Sequence, residues 1–186
     1  MENGNQNSQQ PTASPRIYVA CLASYNSGIL HGVWIAADQD PADIYAEIQS
    51  MLAKSREPFA EEYGIHDHDG FFGYSIDAYE PIENVADIAA LIVEHGQLGA
   101  ELLSQCDSVA AARQAMVDDY QGAFDSPADW AEQFLEETSE LAEVPEHLRR
   151  YFDFESYARD AELSGDIFVI EIDDQQHHVF WSAGVK

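Results

Sequence analysis

The chain has 186 residues and carries 35 Asp or Glu against 8 Lys or Arg, a formal net charge of −27. Between Arg56 and Arg149 there are 22 acidic residues and one basic residue, Arg113. Such a surface disfavours nucleic acid, anionic membranes and acidic substrates as partners, and it favours basic proteins and cations. A basic protein that binds DNA is a special case, because an acidic protein can compete with the DNA.

The composition predicts a folded protein despite this charge. Hydrophobic residues make up 46% of the chain and aromatic residues 11%, whereas disordered acidic chains lack both. The length suits one or two ordinary domains, or a few very small ones. Cys21 and Cys106 make no CxxC pair and lie among apolar or small residues, so we predict two buried free thiols in a reducing cytoplasm.

Neither a membrane segment nor a signal peptide is predicted. No window approaches the roughly 18 apolar residues that a membrane span needs. The first fifteen residues lack both the basic start and the apolar core of a signal peptide. We predict that residues 1–15 form a disordered polar tail.

Residues 16–78 predict a small α+β domain. Two stretches rich in β-formers, 16–23 and 29–36, flank the turn residues Asn26-Ser27-Gly28, which is typical of a β-hairpin. A helix of about a dozen residues is expected to begin at Pro41, and its apolar positions at helical spacing are Ile44, Ile48, Met51 and Leu52. A further strand is predicted from Phe71, Phe72, Tyr74 and Ile76.

Residues 79–117 predict a helical middle domain. Apolar residues recur with helical spacing before Gly96, where we expect the first helix to end; these residues are Val85, Ile88, Leu91 and Ile92. The stretches 98–103 and 109–117 continue the helical pattern.

Residues 118–186 predict a second α+β domain. Ser126-Pro127 is typical of a helix N-terminus, and the apolar face of that helix is expected to contain Trp130, Phe134, Leu135 and Leu141. A short helix is predicted from Pro145, and a longer one over 154–163. Residues 167–172 and 179–181 predict a hairpin around 173–176. The whole chain is therefore predicted to be α+β, with strands at both ends, helices between them and no internal repeat.

The sequence marks no active site. Pairs of carboxylates occur throughout because 35 acids are present, and none is singled out by the apolar pocket that a catalytic acid requires. The phosphate-binding glycine loop, the nucleophile elbow and the HExxH motif are absent from the sequence. We predict no catalytic residue and no cofactor.

Residues 66–70, His-Asp-His-Asp-Gly, contain metal-ligand types. Against a calcium loop that starts at Asp67, Phe72 stands where glycine is needed and Ala78 where glutamate is needed, so the EF-hand pattern fails. Zinc binding by the two histidines would need residues 177–178 to be brought in by long-range folding. A solvated turn is the preferred interpretation, and no metal site is predicted.

The placement of the acids carries more information. On a helix predicted over 126–140, four acids at helical spacing form one stripe, opposite the aromatic face; they are Asp129, Glu132, Glu136 and Glu140. Residues so spaced lie about 5–6 Å apart, comparable to neighbouring phosphates. Three explanations are open: a solvated face, adaptation to high salt, or an array that imitates DNA phosphates and competes for a basic groove.

A candidate acidic surface can be defined from these acids and others of the middle and C-terminal regions. Its members are Asp87, Glu94, Glu101, Asp107, Asp118, Asp119, Asp125, Asp129, Glu132, Glu136, Glu137 and Glu140.

Several short motifs occur in an order found in a known family. They are 17–23 (IYVACLA), Tyr25-Asn26, Leu30-His31-Gly32-x-Trp34, Ile65-His66-Asp67, Glu143-Val144-Pro145, Leu148, Tyr151, Asp153, Tyr157, Arg159-Asp160 and Leu163-Ser164-Gly165. With the acidic stretch 129–138, they resemble the ArdA antirestriction protein family from about residue 16 to 181.

The resemblance implies a function. Members are encoded on plasmids and conjugative elements and shield incoming DNA from type I restriction–modification enzymes in the bacterial cytoplasm. It implies elongated homodimers of small α/β domains that imitate bent duplex DNA and occupy the DNA groove of the modification core, without catalysis or cofactor. Restriction, and modification with it, is expected to be blocked.

The resemblance also places an antirestriction motif at residues 140–154, near the dimer interface. Its matching positions are Glu143, Val144, Pro145, Leu148, Tyr151 and Asp153. Arg149-Arg150 are two positive charges in this segment, and they are expected to bridge to acids either across a dimer interface or within the subunit. The alternative function is a cation-binding or small hydrolytic cytoplasmic protein that is acidic for solubility or high salt.

Overall fold

The computed structural model describes residues 14–173 and 176–182, which form seven helices and six strands in two small antiparallel sheets. The predicted α+β class is confirmed. The chain divides after Gly96 into two compact units, and the finer domain division at residues 78 and 117 stays a prediction. The predicted polar tail lies, apart from residues 14 and 15, outside the described residues.

The first unit is built on a sheet of order β2-β1-β3 in which both neighbours pair antiparallel with the central strand. Its elements are β1 (Arg16–Cys21), α1 (Leu22–Asn26), β2 (Gly32–Ala36), α2 (Pro41–Leu52), β3 (Tyr63–Asp69) and the start of α3 (Ile82–Gln105). The side chain of Asp40 accepts a hydrogen bond from the backbone N–H of Ala42 and caps α2. The four predicted apolar positions of α2 are all buried, which confirms that helix.

The predicted hairpin is confirmed as a pairing of β1 with β2, but the second strand begins later than expected. The short helix α1 follows β1 directly. Ile29 and Leu30 lie in the connection and are 49% and 69% exposed. Strand β2 therefore starts at Gly32.

The strand predicted at residues 71–76 is wrong, because the third strand is β3, which ends at Asp69. Gly70, Phe72 and Gly73 have φ values of 82°, 50° and 85°. Left-handed backbone of this kind cannot continue a strand. The solvated turn predicted at residues 66–70 is also wrong, because residues 66–69 belong to β3, where 67–69 pair with β1 and His66 lies at a register shift.

The helical prediction before Gly96 is confirmed. Gly96 has φ 60° and ψ −137°, a conformation that interrupts α3 and that glycine adopts without steric cost. The four predicted apolar residues before it are buried. Residues after it resume the helix to Gln105.

The second unit is built on a sheet of order β4-β6-β5. Besides the end of α3, its elements are α4 (Val109–Asp118), β4 (Tyr120–Phe124), α5 (Pro127–Glu137), α6 (Glu146–Arg149), α7 (Phe154–Ser164), β5 (Ile167–Asp173) and β6 (Gln176–Trp181). The hairpin of β5 and β6 is confirmed, and its turn residues 174 and 175 lie outside the described residues. Strand β4 was not predicted.

The core of the second unit lies between α5, α7 and the sheet. Buried residues from all three meet there, namely Trp130, Ala131, Ala158, Ile167 and Val179. Partly buried aromatic rings surround them, including Phe134, Tyr157 and Trp181. This packing fixes which face of α5 points to solvent.

Two further expectations concern the thiols and the membrane. Both cysteines are free; Cys21 is buried as predicted, and Cys106 is half-buried. Within residues 14–173 and 176–182, no helix has the length and apolar character that crossing a bilayer requires.

Candidate acidic surface

Helix α5 carries the acid stripe, and its start is fixed by a cap. The Ser126 hydroxyl accepts from the backbone N–H of Asp129 at 3.2 Å and donates to its carboxylate at 2.6 Å. Pro127 occupies the first turn. Asp129 also lies at the positive end of the helix dipole, which favours an acid there. The predicted helix start is confirmed.

The two faces of α5 differ completely in exposure. Trp130, Ala131 and Leu135 are buried, whereas the acids at positions 129, 132 and 136 are exposed. Glu137 is exposed beside them and accepts a hydrogen bond from Gln133 at 2.8 Å. Helical spacing therefore presents Asp129, Glu132 and Glu136 on one solvent-facing stripe.

The predicted continuation of this helix to Glu140 is wrong. Helix α5 ends at Glu137, and Thr138 is its C-cap. Ser139 has φ 61°, a left-handed conformation that turns the chain away from the helix axis. Glu140 thus leaves the stripe, although it stays exposed.

The remaining members of the candidate acidic surface lie in both units. Asp87 and Glu94 are exposed on α3 in the first unit. In the second unit the exposed members outside α5 are Asp107, Asp118, Asp125 and Glu140. Glu101 is half-buried, and Asp119 is only 8% exposed. The backbone carbonyl of Asp119 accepts a hydrogen bond from the backbone N–H of Trp181 at 2.9 Å, which links the start of β4 to the end of β6.

The segment 140–154, where the family resemblance implies an antirestriction motif, is mostly exposed and contains the short helix α6. Glu143, Pro145, Leu148, Tyr151 and Asp153 are exposed, and Val144 is half-buried. Asp153 caps α7 by accepting from the backbone N–H and the hydroxyl of Ser156, at 2.9 and 2.8 Å. These bonds hold the pKa of Asp153 below its usual value.

The two arginines of the motif contact groups within their own segment. The Nε of Arg149 donates to the carbonyl of Val144 at 3.1 Å. The guanidinium carbon of Arg150 lies 5.0 Å from the ring centre of Tyr151. Within the subunit, the contacts seen for the two arginines are thus with a carbonyl and an aromatic ring, and a bridge to acids across a dimer interface stays a prediction.

The histidines of β3 make aromatic contacts. His66 packs edge-on against Tyr25 with centroids 4.6 Å apart, and His68 packs edge-on against Phe71 at 5.6 Å. In the part of the chain that the structure describes, no three His, Cys, Asp or Glu side chains are grouped to hold a metal ion.

One feature of the second unit was missed by sequence reasoning. A cavity of about 340 Å³ is lined by Trp130, Phe134, Glu140, Tyr157, Ala161, Asp166 and Trp181. The helical spacing of Trp130 with Phe134 and of Tyr157 with Ala161 indicated shared faces. Nothing local indicated that Glu140 and Asp166 would join them.

Comparison with known families gives a match over most of the chain. A family model described as antirestriction protein (ArdA) matches residues 17–173, well over half of the chain. No curated protein matches the chain significantly. The family resemblance identified from the sequence motifs is confirmed.

Proposed function

The chain belongs to the ArdA antirestriction protein family, and we propose that it is a DNA mimic that blocks type I restriction–modification enzymes. It binds the basic DNA groove of the modification core and excludes incoming DNA from both cleavage and methylation. Its role is stoichiometric binding, without catalysis or cofactor.

The observation that carries this proposal is the exposed acidic face of α5. The backbone positions of its acids are fixed by a capped helix whose opposite face is packed into the core. Like charges at this spacing cost a few tenths of a kcal/mol each. The fold tolerates that cost while keeping the acids in a regular row, which is the arrangement that a phosphate-binding groove recognises.

Electrostatics explains why such a row competes with DNA. Proteins bind duplex DNA largely through phosphate contacts that release condensed counterions, often about six to ten of them. Carboxylates held at similar spacing offer the same basic residues an alternative set of anions. The protein gains from a rigid array because no flexible chain has to be ordered on binding.

The acting form is proposed to be a homodimer. Apolar side chains stand exposed along the antirestriction motif, with Tyr151 72% and Leu148 46% exposed and Phe152 beside them. Exposed apolar groups close together in the chain favour a protein interface. This agrees with the dimer-interface role that the family resemblance implies for the segment.

The proposal is tested by competition. Labelled unmodified target DNA is bound to a purified type I methyltransferase core, and the protein is titrated in while fluorescence anisotropy is recorded. Displacement at about one dimer per enzyme is expected. Polyglutamate at equal total charge serves as the control and should displace far less, because it lacks a fixed array. Absence of displacement by the folded protein at large excess would overturn the proposal.

A further inference from the structure

The cavity missed by sequence reasoning has aromatic walls. Trp130 stacks on Phe134 with centroids 5.4 Å apart and planes at 12°, and Trp181 packs edge-on against both, at 5.8 and 5.3 Å. Tyr157 lies 6.5 Å from Trp130. The volume of the cavity, about 340 Å³, is at the lower end for a pocket that holds a small ligand or a side chain.

Two carboxylates belong to the same cavity. The turn at Ser139 that removes Glu140 from the α5 stripe places it in the cavity lining. Asp166 is held by the Ser164 hydroxyl, which donates to its carboxylate at 2.7 Å. Burial raises the pKa of Tyr157, and the negative charges of both acids raise it further. The two acids therefore act on the same aromatic ring.

The first unit also brings an indole ring and a carboxylate together, and there an arginine of the same chain contacts both. The guanidinium of Arg16 lies over the ring of Trp34, 4.8 Å from its centre, and a terminal nitrogen of Arg16 lies 2.7 Å from a carboxylate oxygen of Asp69. One guanidinium thus contacts both an indole ring and a carboxylate in this protein. Among the described residues that line the cavity of the second unit, there is no Lys or Arg.

We propose that this cavity binds an arginine side chain of the partner protein. A guanidinium stacks on aromatic faces and donates to carboxylates in its own plane, whereas an ammonium is a compact, strongly hydrated charge. An arginine from a basic DNA groove is the source that fits, and this identification of the partner rests on the proposed function. The cavity's preference for guanidinium does not depend on it.

The first test measures binding of N-acetyl-arginine methylamide to the full chain by NMR. The three tryptophans give separate indole signals, so Trp34 in the first unit is an internal control. We expect saturable shifts at Trp130 and Trp181 with the arginine compound, and binding about tenfold weaker with the lysine compound. No shift, or equal shifts with the uncharged citrulline compound, would overturn the proposal.

The second test uses a variant that keeps the shape of the cavity. Glu140→Gln with Asp166→Asn removes both charges, and Asp160→Asn with Glu171→Gln removes two exposed charges elsewhere in the same unit. The cavity variant should lose at least about tenfold in affinity for the arginine compound. The control should bind as the parent does, and equal loss in both would overturn the proposal.

The same two variants separate this inference from the proposed function. In the DNA-displacement assay, the cavity variant should be about tenfold weaker than the control. If both displace DNA like the parent while charge reversal on α5 abolishes displacement, the arginine site is wrong and the DNA mimic stands. If the parent protein itself displaces no DNA, the proposed function fails, and the binding of the arginine compound alone decides the cavity.

Discussion

The two compact units pair indole with carboxylate in opposite ways. In the first, Arg16 covers Trp34 and binds Asp69 within the chain. In the second, Glu140 and Asp166 line a cavity beside Trp130 that has no described Lys or Arg in its lining. The same chemical groups are closed off in one unit, and in the other we propose that they bind a partner.

Composition does not explain this difference. Residues 14–96 hold 14 acids against 3 bases, and residues 97–186 hold 20 against 5. The two units are therefore about equally acidic. What separates them is placement: a cation on β1 in the first unit, and in the second a capped helix with an acid stripe. Local geometry, beyond the amount of charge, determines which carboxylates are available to a partner.

The largest effect is expected from the aromatic core of the second unit. Trp130→Ala removes a buried ring that contacts Phe134, Tyr157 and Trp181, and it should lower the free energy of unfolding by about 3–5 kcal/mol. Urea unfolding followed at NMR signals of the second unit measures the loss. A loss below about 1 kcal/mol would contradict the packing described for this core.

Charge reversal on α5 should have the next largest effect, a loss of affinity for the enzyme. Changing Asp129, Glu132 and Glu136 to Lys replaces three attractions by repulsions, so affinity for the methyltransferase core should fall by about 100-fold or more. Stability should fall modestly, because a lysine at position 129 would lie at the positive end of the helix dipole and would lose the contact of the carboxylate with Ser126. Titration of the enzyme with labelled protein measures the affinity.

A matched variant of the second unit controls for net charge. Asp160, Glu162 and Glu171 are also exposed, and their change to Lys alters the total charge equally. This control should lose much less affinity than the α5 variant. Equal loss would show that total charge, and not the stripe, determines binding.

Helix caps offer a comparison of the two units at smaller scale. Ser126→Ala removes the cap of α5, and Asp40→Ala removes that of α2. Each should cost about 1 kcal/mol in the free energy of unfolding. Only Ser126→Ala should also weaken enzyme binding, because only α5 carries the stripe. Weaker binding by both variants to the same degree would contradict this assignment.

The smallest expected effects are on the pKa values of two tyrosines, Tyr45 and Tyr157. Burial, together with Tyr63 and Glu83, raises the pKa of Tyr45 to about 12. Because this pKa is raised in the folded protein, its contribution to stability is present below about pH 10 and is lost as the pH rises towards 12. Tyr45→Phe should remove the component that titrates near pH 12 from the tyrosinate absorbance.

The acids of the cavity should act on Tyr157 in the same titration. Glu140→Gln with Asp166→Asn should lower the pKa of Tyr157 towards its ordinary value and leave that of Tyr45 unchanged. If the pKa of Tyr157 does not change, the two carboxylates do not face its ring.

Local signals account for what could be predicted from the sequence. Pro41 and Ser126-Pro127 marked helix starts, and Gly96 marked an interruption, since prolines, caps and glycines act within a few residues. The acid stripe followed from helical spacing alone. These features need no knowledge of the rest of the fold.

Features that were missed depend on non-glycine residues in left-handed conformations or on distant partners. Phe72 and Ser139 have positive φ values, and the residue types Phe and Ser do not indicate such a conformation. The third strand and the end of α5 were therefore misplaced. Strand β4 is defined by pairing with β6, more than fifty residues away. The cavity was missed for both reasons, because the left-handed turn at Ser139 places Glu140 in its lining and the distant hairpin of β5 and β6 contributes Trp181.

The salt dependence of enzyme binding distinguishes imitation of phosphates from binding by apolar contacts. The Kd of the complex with the methyltransferase core is measured from about 50 to 200 mM salt, the range over which DNA loses its electrostatic affinity. If three or four carboxylates replace phosphates, affinity should fall by about 100-fold, and DNA, which makes more phosphate contacts with the same enzyme, should lose more. If the affinity changes by less than about threefold while DNA binding weakens as usual, the carboxylates do not replace phosphates and the complex is held by apolar contacts.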